Sequence, residues 1–280
     1  MTGRTVVVTG GTRGIGLATA TALGSAHAHV VLAVRDTARG SAVAASIPGE
    51  TTVRVLDLAD LDSVRRFADA WQGPIDVLIN NAGISVPELT RTKDGFEMQF
   101  GTNHLGHFAL TNLLLPQITG RVVTLSSQAE RMGRLDLDDL NWERTPYKES
   151  RAYASSKLAG ILFTAELQRR LDAAGSSVRA VAAHPGFVAT GMTGAGDRST
   201  GLAMRLMLRF LAQEPKDGAL PVLLAATGDL AGDSFVGPEH MAHMRGGAEL
   251  IGRSKTARDA DLARRLWEAS EGLTGVPFPL

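Results

Sequence analysis

The stretch that decides the fold is Arg4-Thr-Val-Val-Val-Thr-Gly-Gly-Thr-Arg-Gly-Ile-Gly16. Its β-branched run reads as a strand, its glycines as a tight turn, and the following Leu17 to Gly24 as a helix. Gly10, Gly14 and Gly16 lack side chains where such a turn must be sharp, where a dinucleotide pyrophosphate would approach the backbone, and where helix must pack on strand. Thr12, Arg13 and Ile15 fill the loop between them, and the helix N-terminus behind it is a natural seat for phosphate. Glycine-rich turns also arise by chance, so the argument rests on the placement between strand and helix.

Further along the chain, the pattern repeats. A second strand, Ala28 to Val34, runs into Arg35-Asp36, near where a dinucleotide fold meets the adenosine ribose. An acid there suits the 2′-hydroxyl of NAD and an arginine suits the 2′-phosphate of NADP. Counting from the strand puts Arg35 at the reading position, with Arg13 as a second cation, so NADP is the expected cofactor and NAD the alternative. A third strand, Thr52 to Leu56, leads into Asp57-Leu58, where Asp57 either caps the amphipathic segment Leu61 to Trp71 or contacts adenine. A fourth strand, Ile75 to Ile79, ends in Asn80-Asn81-Ala82-Gly83, small and amide-rich as expected beside a cofactor. Strand alternating with helix predicts a doubly wound α/β fold: one domain over 1–280, with a mostly parallel, seven-stranded sheet and helices on both faces.

Composition narrows the function. With 280 residues and 44% hydrophobic content the chain can bury a large core. Its 29 basic and 29 acidic residues balance, so no long-range field would recruit nucleic acid. The lack of cysteine excludes disulfide and thiolate chemistry, and no apolar run is long enough for stable membrane insertion. The strand pattern starts at once, with no leader-like stretch, and the cytoplasm is the expected location.

The candidate chemical centre lies in the helical run Ala152 to Leu171, where Lys157 follows Tyr153 by one turn on the same face. A phenol ordinarily titrates near 10, and an ammonium ion within hydrogen-bonding range would favour the phenolate. Leu158, Ile161, Leu162, Ala165 and Leu167 supply an anchoring apolar stripe. Tyr147 is the competing tyrosine, but the residue four on is Arg151, whose guanidinium does not deprotonate.

Four motifs in order, Thr9 to Gly16, Asn80 to Gly83, Tyr153 to Lys157 and His184-Pro-Gly-Phe-Val-Ala-Thr190, resemble the short-chain dehydrogenase/reductase family. Gln99 to Phe108 and the long segment before Tyr153 resemble its retinol-dehydrogenase-like and protochlorophyllide-reductase-like branch. The resemblance implies a Rossmann fold and hydride transfer between a nicotinamide and a carbonyl or alcohol. It implies that Asn103 holds a water in a proton relay and that Ser127, with Ser126 as fallback, polarises the substrate. Tyr153 would donate the proton, and Lys157 would lower the tyrosine pKa and bind the ribose. Pro185, Gly186, Val188 and Thr190 would meet the nicotinamide end.

The remainder is read from position. Residues 128–152 form an extra loop, either beside the substrate or on the surface. Residues 191–213 read as a substrate lid bearing methionines and 237–280 as a pocket-closing segment. His184 reads as structural, and His104 with His107 lacks a third ligand, so no metal is expected. The family's usual dimer face is the Tyr153 helix, which leaves a homodimer open unless the insertion blocks it. The expected activity is NADP-dependent reduction of a lipophilic aldehyde or ketone. The rival is a nucleotide-sensing protein that keeps the fold without the chemistry.

Overall fold

The computed structural model describes residues 1–188 and 212–280. Eight strands make one sheet: β1 (Thr5–Thr9), β2 (His29–Val34), β3 (Thr51–Val55), β4 (Ile75–Asn80), β5 (Ile118–Leu125), β6 (Arg179–Ala183), β7 (Phe235–Gly237) and β8 (Glu249–Leu250). They lie in the order β3-β2-β1-β4-β5-β6-β7-β8. Every pairing is parallel except β7 with β8. The strand beyond the expected seven is this two-residue antiparallel edge, too short to leave a period in the sequence.

Near-continuous apolar strands such as β2, buried from Val30 to Val34, require cover on both faces. The helices supply it. On one face lie α1 (Gly14–Ser25) and, after a single turn at Pro215–Gly218, α7 (Leu220–Thr227). On the other lie α3 (Leu61–Asp69), α5 (Gly106–Leu114), α6 (Glu149–Ala173) and α8 (Ala260–Thr274). The short α2 (Thr37–Ala44) follows β2. The helix before β5 begins as one turn, α4 (Met98–Phe100), widens into a π turn over Gly101–Leu105 and resumes as α5. Such π turns are rare and gather at functional sites; here the widened turn carries Asn103.

Helix α6 is buried far beyond a stripe, because α8 lies across it. Trp267 of α8 stacks on Phe163 at 5.6 Å and meets Phe108 edge-on at 4.8 Å, and the Arg170 guanidinium lies over its ring, 4.6 Å from the centroid. A rigid aromatic cluster of this kind fixes the helix that carries Tyr153 and Lys157. No helix among the described residues is long and apolar enough to cross a membrane.

Candidate active site

Strand order reverses between β1 and β4, and in open α/β sheets ligands bind at the carboxyl ends of strands beside such a reversal. A cleft of about 420 Å³ opens there. Gly10, Thr12, Arg13, Gly14, Ile15, Gly16, Arg35, Asp57, Leu58, Asn81, Ala82, Gly83, Tyr153, Lys157 and Pro185, all expected from the sequence, line it together.

The glycine loop is shaped for a close-fitting ligand. Gly10 has φ +69°, and a Cβ on it would stand 2.9 Å from the Ala82 Cα. A Cβ on Gly16 would lie 2.4 Å from Asn81 Nδ2 and 2.6 Å from the Gly10 carbonyl. Asn81 itself clamps the loop, donating from Nδ2 to the Thr9 carbonyl at 2.7 Å. Helix α1 has no side-chain cap, so its first N–H groups have no capping partner and face the cleft. A dinucleotide pyrophosphate fits this cradle.

At the adenosine end both adjacent charges, Arg35 and Asp36, line the cleft, but their partners differ. Asp36 caps α2, accepting from the Arg39 backbone N at 2.9 Å. Arg35 and Arg13 are exposed and line the cleft, as does Arg39, which the sequence reading missed although it lies in the first turn of α2. Asp57 does not cap α3. That cap is Asp60, which accepts from Asp62 N and Ser63 N. Asp57 Oδ1 instead accepts from Ala59 N at 3.0 Å, because Asp60, next to Leu61 where the helix begins, holds the cap position.

At the other end, Tyr153 and Lys157 share one helix face as their spacing requires, but the expected ammonium–phenol hydrogen bond is not made. The lysine chain passes the ring, with Nζ 5.6 Å from its centroid, and donates to the Leu125 carbonyl at 3.1 Å. Burial lowers the Lys157 pKa from 10.5 to about 8. Burial likewise raises the Tyr153 phenol, and the nearby Ser127 hydroxyl draws it partly back. The hydroxyl of Ser127 is thus the hydrogen-bond partner of the phenol, with the Lys157 ammonium beside the ring.

The two serine hydroxyls differ in what they touch. Ser126 Oγ donates to the Lys157 backbone carbonyl at 2.7 Å and is spent holding β5 to α6. Ser127 Oγ accepts from Ala129 N at 3.2 Å and faces Tyr153. Asn103 is a structural clamp as well as a neighbour of Lys157. Its Oδ1 accepts from Ile84 N at 2.8 Å, and its Nδ2 donates to the Ile84 carbonyl and Ser156 Oγ, both at 3.0 Å. His107 Nδ1 donates to the Asn103 carbonyl at 3.1 Å, leaving Nε2 to accept from Thr9 Oγ1 at 2.9 Å. Burial lowers His107 to about 4, so it is neutral in this role. Thr9 Oγ1 in turn accepts from Asn81 N and Ala82 N, both at 2.9 Å. This Thr9–His107–Asn103 chain ties the glycine loop to the π turn, and spacing alone does not disclose it.

The remaining expected residues lie outside the cleft wall. Gly186 packs under Met244, and the Val188 side chain is buried in the core. Thr190 and residues 191–211 of the expected lid fall outside the described residues. His104 bonds Ser270 Oγ at 2.8 Å within the core, and His184 Nδ1 accepts from Gly186 N at 3.0 Å, a structural use. Tyr147 anchors the extra loop, donating to the Val86 carbonyl at 3.0 Å. Of the expected pocket-closing segment, Met244 abuts the Pro185 turn, with its carbonyl accepting from Phe187 N, whereas α8 covers α6.

Fold and cleft define a dinucleotide-binding protein. The family model for short chain dehydrogenases matches residues 4–200, and the chain belongs to that family. It is 40% identical to retinol dehydrogenase 13 of Homo sapiens over 99% of this chain and 86% of that protein, which places it in the retinol-dehydrogenase-like branch. A crystal structure described as a putative uncharacterized protein from Mycobacterium paratuberculosis superposes with a TM-score of 0.87, at 52% identity over 100% of this chain and 96% of that one. The Pseudomonas aeruginosa RhlG/NADP active-site complex superposes with a TM-score of 0.67, at 26% identity over 84% and 94%. The chain is thus an enzyme acting on alcohol or carbonyl groups, with a nicotinamide dinucleotide as cofactor.

Proposed function

We propose that the protein is an NADP-dependent reductase of lipophilic aldehydes or ketones, with Tyr153 as proton donor. The observation that carries the cofactor choice is that three arginines, Arg13, Arg35 and Arg39, line this cleft beside two carboxylates, Asp36, whose Oδ1 caps α2, and Asp57, whose Oδ1 accepts from Ala59 N. Charge-assisted hydrogen bonds contribute about 1.5 to 3 kcal/mol each, so one that survives solvent screening gives about ten-fold preference for the 2′-phosphate. The NADP complex of the RhlG relative supports the same choice. The name of the retinol dehydrogenase relative, which refers to a long polyene alcohol, supports a lipophilic substrate.

When bound, the nicotinamide supplies the hydride. Tyr153 gives its proton to the oxygen that gains negative charge, which is general acid catalysis. Ser127 donates to the same oxygen and orients the phenol. Lys157 binds the ribose hydroxyls and adds positive charge beside the ring. Asn103 acts through Ser156 and Ile84 as a positioning residue. Reverse transfer from an alcohol uses the same groups, and a cellular excess of NADPH favours reduction.

A paired titration with NADPH and NADH at fixed salt tests the reading, on wild type and on Arg35→Ala/Arg39→Ala. At least ten-fold tighter NADPH binding, lost in the double variant, supports it. Equal or tighter NADH binding would refute the cofactor assignment. Tight nucleotide binding without turnover of any aldehyde, ketone or alcohol would favour the sensor alternative.

A further inference from the structure

Behind the catalytic helix lies a second groove, of about 820 Å³, which shares no lining residue with the cofactor cleft. That volume is typical of a small-molecule site. At about 100° per residue, Arg151 and Ser155 stand nearly opposite Tyr153 on α6, and both line the groove. Its other wall is the extra loop that precedes Tyr153.

Two kinds of surface meet here. The bed is apolar, with Phe100 and Ala154 buried and Leu140 and Trp142 half-buried. Met132, at 71% exposure, offers a large apolar side chain at the margin. Trp142 is fixed in place, edge-on to Tyr147 at 5.5 Å. The rim is cationic. Among the described residues Arg131 is held by neutral partners, Gln128 Oε1 at 2.9 Å and the Gly252 carbonyl at 3.2 Å. The guanidinium groups of Arg134 and Arg151 make no hydrogen bond or ion pair with the described residues. Ser155 Oγ donates to the Arg134 carbonyl, which brings Arg134 beside the α6 face that carries Arg151.

Two carboxylates also line the groove, but both are turned into their own loop. Asp139 accepts from Glu143 N, Arg144 N and Thr145 N, and Asp136 accepts from Asp138 N. The groove therefore joins an apolar bed to three guanidinium groups that form no ion pair with the described residues, beside two carboxylates that accept backbone N–H bonds. Guanidinium matches a carboxylate in charge and in planar geometry.

We propose that this groove binds a single-chain amphiphilic carboxylate, its head at Arg134 and Arg151 and its chain along Leu140, Trp142 and Phe100. The site is independent of the catalytic reading and stands whether or not the cofactor is NADP.

Calorimetric titration of the full chain with octanoate, nonanoate and decanoate, below their micelle concentrations, tests it. Saturable one-to-one binding is expected, tightening about four-fold per methylene and unchanged within two-fold by saturating NADPH. Decylamine should bind at least ten-fold more weakly than decanoate. Arg134→Ala/Arg151→Ala, two exposed positions, should weaken decanoate at least ten-fold with an unchanged melting temperature. Trp142→Ala should flatten the chain-length dependence. Absence of saturable binding, equal binding of decylamine, indifference to the arginine pair, or displacement by NADPH would each overturn the proposal. Adhesion to phosphatidylserine vesicles without binding of free decanoate would also overturn it, by making the face a membrane contact.

Discussion

Replacing Lys157 with methionine should stabilise the protein while disabling it. The side chain is 5% exposed and its ammonium has one hydrogen-bond acceptor among the described residues, the Leu125 carbonyl. Depression of its pKa from 10.5 to about 8 corresponds to a cost of about 3 kcal/mol to the fold at neutral pH. Methionine has nearly the same shape and no charge, but it leaves Leu125 without its donor, a loss of about 1 kcal/mol. A net gain of about 2 kcal/mol should raise the melting temperature by about 5 °C. The pH dependence has a definite sign. Below pH 8 both folded and unfolded chains carry the proton, so the gap between variant and wild type is constant. From about pH 8 to 10.5 the unfolded chain binds more protons than the folded one, so wild-type stability gains on the variant and the gap closes. Thermal melts of both proteins from pH 7 to 10, with turnover measured in parallel, read all of this. A variant less stable than wild type at pH 7, or a gap that does not change between pH 8 and 10, would refute the reasoning.

Two further outcomes follow from packing. Gly16→Ala must push a Cβ into Asn81 and the Gly10 carbonyl, which overpacks the loop at a cost of about 1 to 3 kcal/mol; calorimetry should find NADPH binding at least ten-fold weaker. Because α8 covers α6 around Phe163 and Arg170, that part of the helix that commonly forms the family's dimer face is occupied by the chain itself, and sedimentation velocity should find no dimer through it. Trp267→Ala, expected to cost about 3 to 5 kcal/mol, removes that cover, and a wild-type dimer cross-linked through α6 would contradict the assignment.

What the sequence discloses follows from how local each signal is. The glycine loop is legible because Gly10 and Gly14 need positive φ and Gly16 needs the absence of a Cβ, requirements that residue type alone satisfies. The Tyr153–Lys157 pair is legible because helical geometry fixes their shared face. The destination of the lysine amine is not, since it depends on where β5 ends in space. Likewise, Asp36 and Asp57 look alike in sequence, each an acid after a strand. Only the start of the next helix decides that Asp36 caps α2 whereas Asp60, not Asp57, caps α3. The π turn around Asn103 reads as plain helix, because a single widened turn leaves no period. In sequence His107 reads as half of an incomplete metal pair, yet its ring joins Thr9 to Asn103, and Thr9 lies far from both in the chain. The cover of α6 by α8 is equally long-range, so amphipathic patterning announces the terminal helix without naming its partner.

The most direct test of the account follows NADPH absorbance in a single turnover with a lipophilic aldehyde such as retinal, comparing wild type with Tyr153→Phe. Wild type should oxidise one equivalent of NADPH. The variant should bind NADPH within about three-fold of wild type yet lose about 10² to 10⁴ in rate, the range expected for removal of a general acid. A variant that keeps most of the rate would contradict Tyr153 as the proton donor, and a wild type that binds NADPH but never consumes it with any carbonyl would contradict the reductase assignment itself.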